Sequence, residues 1–351
     1  MIGPAALMDG FDAPFELGLR IADVDVRIRT NDETIRARLE AYYEPYIAGS
    51  LPSGVIEVRL IQGEAKPEGP FQDVRRVDGK EVKEAVQEVP GGRLILKRQT
   101  GVVMGLGDGH AFAVGDLRTH LNQGINLVNA CYARVIAARG HVLFHASAVS
   151  WGGRTAALAG PPGAGKSTAA LHLVERGFRF LSNDRVLARP ASDSVEALGY
   201  PKQPRVNPGT LVHHPRLGDL LEPGDRRVLE ALSPADLWGL ERKRDVDLDA
   251  IYGKGTVELR GRMQALLILK WTFGGRGFAV RQITLPAAMA DLPLFQKDLG
   301  VFDSGRSVPR LDAVDHLSQY AAVFERVQVV ELTGGVDFSA LVDVVRDLLG
   351  K

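Results

Sequence analysis

Residues 154–176 read Arg-Thr-Ala-Ala-Leu-Ala-Gly-Pro-Pro-Gly-Ala-Gly-Lys-Ser-Thr-Ala-Ala-Leu-His-Leu-Val-Glu-Arg, and the fold turns on this stretch. Its first six residues form an apolar, strand-like run, and its last eight, Ala169–Arg176, have the pattern of a helix. Between them, Gly160–Thr168 is a full G-x-x-x-x-G-K-[ST] loop. Its glycines let consecutive backbone N–H groups turn inward around a polyphosphate, and the following helix N-terminus adds partial positive charge at the same place. The spacing therefore predicts a nucleotide-binding loop made of Gly160, Pro161, Pro162, Gly163, Ala164, Gly165, Lys166, Ser167 and Thr168. Lys166 is expected to reach the β- and γ-phosphates of ATP, and the Ser167 hydroxyl to hold Mg²⁺.

A second signal follows 17 residues after Ser167. Gly177 ends the helix, and Phe178-Arg-Phe-Leu-Ser182 reads as a short strand running into Asn183-Asp184. A helix of about eleven residues spans roughly 16 Å at 1.5 Å per residue, enough to return the chain to the sheet by a right-handed crossover. Asp184 is then expected at the carboxyl end of a strand neighbouring the loop, the edge where open α/β sheets bind ligands. A carboxylate beside Ser167 suits a hard cation bound to a phosphate tail, and an Asn-Asp turn closing the strand is the plainer alternative. His145 stands fifteen residues before Gly160, near the middle of a strand read over His141–Val149. It reads either as a core histidine or as a group that bonds a carboxylate or approaches the γ-phosphate.

Around this centre the 351 residues have room for about two domains. The first third looks like a small α+β domain. It has a strand or hairpin over Phe15–Thr30, a helix from Asn31 to about Tyr46 with Thr30 and Glu33 at capping-box spacing, and a strand at Val55–Ile61. A polar loop over 63–80 then leads to strands at Ala85–Val89, Arg93–Lys97, Val102–Gly105 and Ala111–Val114. Asp116–Arg139 is the longest helical pattern. A strand at Val327–Leu332 and a helix over Phe338–Leu349 capped by Asp337 close the chain. The division expected is an N-terminal α+β domain over 1–115 and a phosphate-loop domain over 116–351.

Lys plus Arg and Asp plus Glu number 43 each, so bulk charge favours neither nucleic acid nor an anionic membrane as partner. Cys131, the single cysteine, excludes an intrachain disulfide and a C-x-x-C metal site and is expected to be buried. The Met1–Asp9 stretch lacks the basic region of a signal peptide, no apolar run approaches a membrane span, and a cytoplasmic location is the simplest expectation. The His213-His214 pair has no third ligand at metal spacing.

The region 140–340 resembles the HPr kinase/phosphorylase superfamily, and especially its subgroup of HPr kinase-related kinase B. The matching stretches are Phe144-His-Ala-Ser-Ala-Val149, Gly160–Thr168, Arg179-Phe-Leu-Ser-Asn-Asp-Arg-Val186, Gly199-Tyr-Pro-Lys-Gln-Pro-Arg-Val-Asn-Pro-Gly209 and Val330-Glu-Leu-Thr-Gly-Gly-Val-Asp337. The resemblance implies an α/β P-loop kinase core of the HPr kinase C-terminal domain or PEP carboxykinase type. It further implies ATP and Mg²⁺ as cofactors, a serine hydroxyl of a protein, peptide or small molecule as acceptor, and assembly into a homo-oligomer. It gives catalytic roles to Asp184, His145 and Lys166. The family's acidic pair is usually Asp-Asp, whereas this chain has Asn183-Asp184, so one carboxylate role must be dropped, merged into Asp184 or supplied elsewhere. Glu258-Leu-Arg-Gly261 echoes the family's Glu-Ile-Arg-Gly signature and offers Glu258 as a metal ligand and Arg260 as a substrate contact. Val257–Arg260 equally fits a plain amphipathic strand.

Three further cations are candidate substrate contacts. Lys202 and Arg205 lie in a loop stiffened by Pro201, Pro204 and Pro208, and Lys254 lies between Gly253 and Gly255. Solvated surface charge is the alternative for each. The functional expectation is an ATP- and Mg²⁺-dependent phosphotransferase acting on a hydroxyl. The alternative is a nucleotide-binding regulatory module with weak or no transfer.

Overall fold

The computed structural model describes Met8 and residues 10–74, 81–107, 110–303 and 313–350. The rest of the Met1–Asp9 stretch read for a leader, and part of the 63–80 loop, lie outside these residues. The described chain is a mixed α/β structure divided into two compact units, one formed by Met1–Gly140 with Asp298–Arg310 and the other by His141–Lys297 with Leu311–Lys351.

The first unit contains β1 (Phe15–Ile21), β2 (Val24–Thr30), α1 (Glu33–Tyr42), β3 (Ile56–Gln62), β4 (Gln72–Asp73), β5 (Glu84–Val89), β6 (Gly92–Lys97), β7 (Val103–Gly107), β8 (His110–Gly115) and α2 (Leu121–Ala138). Its sheet runs β1-β2-β3-β8-β7-β6-β5-β4, with β2, β3 and β8 parallel and the remaining pairs antiparallel. Two expectations change here. The cap of α1 is Asp32, which accepts from the Ile35 N–H at 2.9 Å, rather than a Thr30/Glu33 box. The helix read from Asp116 begins at Leu121, and it packs on β8, β2 and β3. The division of the chain therefore falls at Gly140 and not at 115. Cys131 is buried, as its apolar surroundings suggest.

The second unit contains β9 (Val142–Phe144), β10 (Ala146–Trp151), β11 (Arg154–Ala159), α3 (Lys166–Glu175), β12 (Arg179–Ser182), β13 (Val186–Pro190) and β14 (Val195–Gly199). An excursion of short elements follows: β15 (Arg205–Val206), α4 (Pro208–His213), α5 (Pro223–Glu230), α6 (Pro234–Gly239), β16 (Arg244–Asp245) and α7 (Leu248–Tyr252). The chain then forms β17 (Arg260–Leu269), β18 (Phe278–Gln282), α8 (Leu285–Asp291), β19 (Gln296–Lys297), α9 (Ala313–Phe324), β20 (Gln328–Gly334) and α10 (Phe338–Gly350). Asp337 caps α10 by accepting from the Ala340 N–H at 2.9 Å.

The long strand β17 is the hub. Its Met263–Ile268 part pairs in parallel with β11, its first residues pair antiparallel with β14, and its last residues pair in parallel with β20. One face of the sheet is covered by a core that includes Leu171, Leu173 and Val174 of α3 with Leu341, Val342 and Val345 of α10. The other is covered by Ala288, Leu292, Phe295, Tyr320 and Phe324. Each fully buried leucine or phenylalanine contributes roughly 1.5–3 kcal/mol, so both faces of the sheet are held by well-buried cores.

Register decides what meets at one edge. Ala159 of β11 lies opposite Ile268 of β17, Leu332 of β20 lies opposite Leu269, and the first residue of antiparallel β10, Ala146, lies opposite Ala159. Ser182 of β12 lies opposite Ala148. The carboxyl ends of β12, β11, β17 and β20 and the amino end of β10 therefore share one edge. β10 stands between β12 and β11, so the strand that delivers Asp184 is one place removed from the loop strand and not its neighbour.

Candidate functional site

The loop leaves β11 at Gly160, whose φ is +145°, and a Cβ built there would lie 2.8 Å from the Leu269 carbonyl oxygen. Only glycine fits so close to a paired strand. Gly163 and Gly165 have φ of +83° and +80°, and Gly165 is the N-cap of α3. These left-handed turns bend the loop over the start of the helix. The far side is pinned by the Trp271 indole N–H, which donates to the Ala164 carbonyl at 2.8 Å. The Thr168 hydroxyl lies 2.7 Å from that of Thr210 on α4.

Lys166 is 8% exposed, and its Nζ donates to the carbonyls of Gly160 at 2.9 Å and Pro161 at 3.1 Å. Burial pushes its ammonium down to about 8, with Asp184 opposing the change and Lys297 and Lys243 adding to it. A buried cation held by neutral carbonyls at a helix start has unspent attraction for an anion.

His145 interrupts the strand read over His141–Val149. β9 pairs with β13 and β19, β10 pairs with β11 and β12, and the chain changes partners at His145, whose N–H donates to the Phe295 carbonyl at 2.7 Å. Its ring is thereby turned to the same edge as the loop. His145 Nε2 lies 3.1 Å from Asp184 Oδ1. Asp184 has φ of +69°, a left-handed conformation that costs a non-glycine residue roughly 1–2 kcal/mol and that aspartate tolerates best. Its side chain is 48% exposed. Burial acts to raise its pKa, but the hydrogen bond from His145 and the charges of Lys297, His145 and Arg185 outweigh it and hold the carboxyl well below the usual range. Asp184 is therefore an anion at any physiological pH.

Asn183 is used differently. Its side-chain oxygen accepts from the Ser147 hydroxyl at 2.9 Å, which ties β10 to the end of β12. Behind it, Ser182 Oγ donates to the Arg185 carbonyl and accepts from the Tyr200 N–H, so the turn that presents Asp184 is cross-braced. Lys202 lies in the same field. Burial lowers its proton affinity while Asp184 raises it and Arg185 and Arg205 lower it further. Lys297, invisible to pattern reading, arrives on β19 opposite Leu143. The edge thus has several cations around one carboxylate.

Other expected residues fall elsewhere. Glu258 accepts from the Ser150 hydroxyl at 3.0 Å. Ser150 is four positions along β10 from Ala146, roughly 13 Å at 3.3 Å per residue, so Glu258 is no metal ligand for this edge. Arg260 opens β17 beside Glu196 at 3.5 Å, and eight residues, roughly 26 Å, separate it from the end where Ile268 meets Ala159. It is no substrate contact there. Arg205 is exposed and paired with Asp245 at 3.0 Å, and Lys254 is exposed on the glycine turn after α7. Lys270, the residue after β17, was not among these candidates and is engaged by Asp291 at 2.7 Å and Glu331 at 2.6 Å.

The donor set suits a phosphate-bound cation better than a free metal. Among the described residues no group of three or more His, Cys, Asp or Glu side chains could hold an ion alone. Magnesium, however, commonly takes one or two protein oxygens and completes its shell with phosphates and water, and Ser167 and Asp184 are oxygens of the right kind. No helix among the described residues is long and apolar enough to cross a membrane.

No family model and no curated protein matches this sequence. Among solved structures, the chain is similar to that titled "Structure of the Hpr(Ser) kinase/phosphatase from Coxiella burnetii". The identity is 9%, the match covers 59% of this chain and 93% of that one, and the TM-score is 0.28.

Proposed function

We propose that the chain is an ATP- and Mg²⁺-dependent phosphotransferase that acts on a hydroxyl, a serine hydroxyl by the sequence resemblance, of a protein, peptide or small-molecule acceptor. The observation that carries this reading is the His145–Asp184 pair at 3.1 Å on the sheet edge from which the Gly160–Thr168 loop and the buried Lys166 also project.

In this reading the loop amides and Lys166 bind the phosphate tail, and Lys166 leaves the Gly160 and Pro161 carbonyls to do so. Ser167 and Asp184 are the residues that would hold Mg²⁺, which when bound neutralises charge on the phosphate oxygens. Asp184 Oδ1 is engaged by His145, so Oδ2 is the oxygen left to face a cation or the acceptor hydroxyl. A strongly acidic carboxyl is a weak base, but phosphoryl transfer has a loose transition state in which positioning and charge stabilisation matter more than early proton removal. Asp184 orients the hydroxyl and accepts its proton as the new bond forms, while the hydrogen bond from His145 holds the carboxylate in place. Lys202 and Lys297 stabilise charge on the transferring group or on an acidic acceptor.

The second reading, a nucleotide-binding module without transfer, is favoured by one observation. Asn183 spends its oxygen on Ser147, so the turn supplies a single acid. Labelled ATP incubated with the chain, Mg²⁺ and cellular extracts separates the two. Label on an acceptor that disappears with Lys166→Ala supports the kinase, and tight ATP binding without any transfer supports the module.

A further inference from the structure

The loop edge has two sides. β11 lies between β10 and β17, so His145, just before β10, and Asp184, beyond β12, lie to one side of the loop strand and the end of β17 flanks it on the other. Beyond β17 the chain is held tightly. The N–H groups of Lys270 and Thr272 donate to the Leu332 and Gly334 carbonyls, both at 2.8 Å, and buried Trp271 is bonded to Ala164 of the loop. The next residue, Phe273, is 52% exposed. Its ring stacks on that of Trp238, itself 47% exposed, with centroids 4.5 Å apart and planes 27° from parallel.

Trp238 comes from α6, which is also anchored to the loop. Leu237 is buried, and its carbonyl oxygen lies 3.4 Å from where a Cβ on Gly209 of α4 would stand. The same helix α4 carries Thr210, in contact with Thr168. One ring is thus tied to the middle of the loop through Trp271 and the other to its end through α4. Two large flat apolar rings are presented to solvent on a rigid footing.

We infer that the Trp238–Phe273 pair is the platform for the base of the nucleotide whose phosphates lie on the Gly160–Thr168 loop. The inference rests on the phosphotransferase reading above and adds the base subsite to it. The transferring end of the nucleotide must face Asp184 and His145, on the β10 side. The base must then leave the loop toward the β17 side, where the aromatic pair stands. A purine stacks on such rings whatever its edge pattern, because every base has a π-face, and stacking is worth roughly 1–3 kcal/mol per base by alanine substitution. That corresponds to about a 5- to 150-fold change in affinity.

Calorimetric titration with Mg·ATP and, separately, with Mg·tripolyphosphate tests the platform on the full chain, on Trp238→Ala and on Phe273→Ala. Both rings are exposed, so folding is expected to be retained, and Trp238→Phe, which keeps a stacking face, is a rescue variant. The expected result is ATP binding weakened about tenfold by each alanine, restored by Trp238→Phe, and tripolyphosphate binding within twofold of the unaltered chain throughout. ATP affinity unchanged in both alanine variants overturns the platform and leaves the pair as a docking surface for an apolar protein segment. Equal losses for both ligands overturn it as well, because the rings would then shape the loop and not hold a base. If the unaltered chain binds neither ligand, the phosphate-loop reading has failed and the platform falls with it. If it binds both and only the variants behave alike, the platform alone has failed.

Discussion

Lys166 gives the proposed phosphate site a proton signature that can be worked out in advance. In the empty loop its ammonium is pushed down to about 8 by burial, with only carbonyl partners to hold it. A triphosphate placed against it supplies opposite charge and returns its affinity for the proton toward the ordinary lysine value of about 10.4. The sign follows from linkage. Between these two values the empty protein has lost the proton that the complex retains, so binding takes a proton up and affinity falls as pH rises. With 8 and 10.4 as the two constants, uptake is roughly 0.1 proton per ATP at pH 7 and roughly 0.9 at pH 9. Lys202, whose proton affinity is also lowered, adds in the same direction if it faces the phosphates. Titrations in two buffers of different ionisation enthalpy measure the uptake directly. Lys166→Arg, charged at every pH in this range, should abolish most of it while some binding survives. Tight ATP binding at pH 9 with no proton uptake would refute the reasoning, because the buried lysine would then not be the group that meets the phosphates.

Other outcomes are expected from the same geometry. Asp184→Asn keeps a residue that tolerates the left-handed backbone, so the melting temperature should hold within a few degrees while transfer falls by about two to three orders of magnitude. Trp271→Phe removes the donor to Ala164 and should cost about 1 kcal/mol in a denaturant titration, with weaker ATP binding. His172, packed on Phe338 with ring centroids 4.0 Å apart, is pushed down to about 4 by burial and by the nearby charges of His214 and Arg176. Its neutral form is the one the fold accepts, so stability is full above about pH 6.5 and lost as pH falls toward 4, by at most ~3 kcal/mol. His172→Leu should flatten that slope in a pH series of thermal melts.

The strand–loop–helix at 154–176 was legible because everything that makes it lies within a few residues: an apolar run, glycines at the turns, and a helix-forming tail. Asp184 was legible from chain length, since a short helix can only return to the same sheet. What escaped depends on distant pairing. The break at His145 is produced by β19, some 150 residues away, and a two-residue strand such as Gln296–Lys297 has no periodicity to read. Lys297 was missed for that reason. Trp271 reaches the loop only because β17 runs parallel to β11, and Trp238 is placed by the packing of α6 on α4, neither of which local sequence reveals.

The displaced candidates teach the converse. Arg260 opens the apolar strand that holds Ala265–Leu269, and Glu258 lies just before it. In a strand parallel to β11 such residues belong to the amino end, opposite the edge where ligands gather. That placement depends on β17 running parallel to β11, so the sequence left the signature-like reading of Glu258-Leu-Arg-Gly261 and the plain-strand reading equally open. The domain boundary shifted because the apolar face of α2 is claimed by β2, β3 and β8, a choice that the 116–139 helical pattern leaves open.

The most direct test of the central claim is a crystal structure with a non-hydrolysable ATP analogue and Mg²⁺. The expected result is the phosphates on the amides of 160–168, Lys166 Nζ drawn off the Gly160 and Pro161 carbonyls onto a phosphate oxygen, and one cation bound by Ser167 and Asp184. An empty loop with Lys166 still on those carbonyls, at an analogue concentration that saturates the protein in solution, would contradict it.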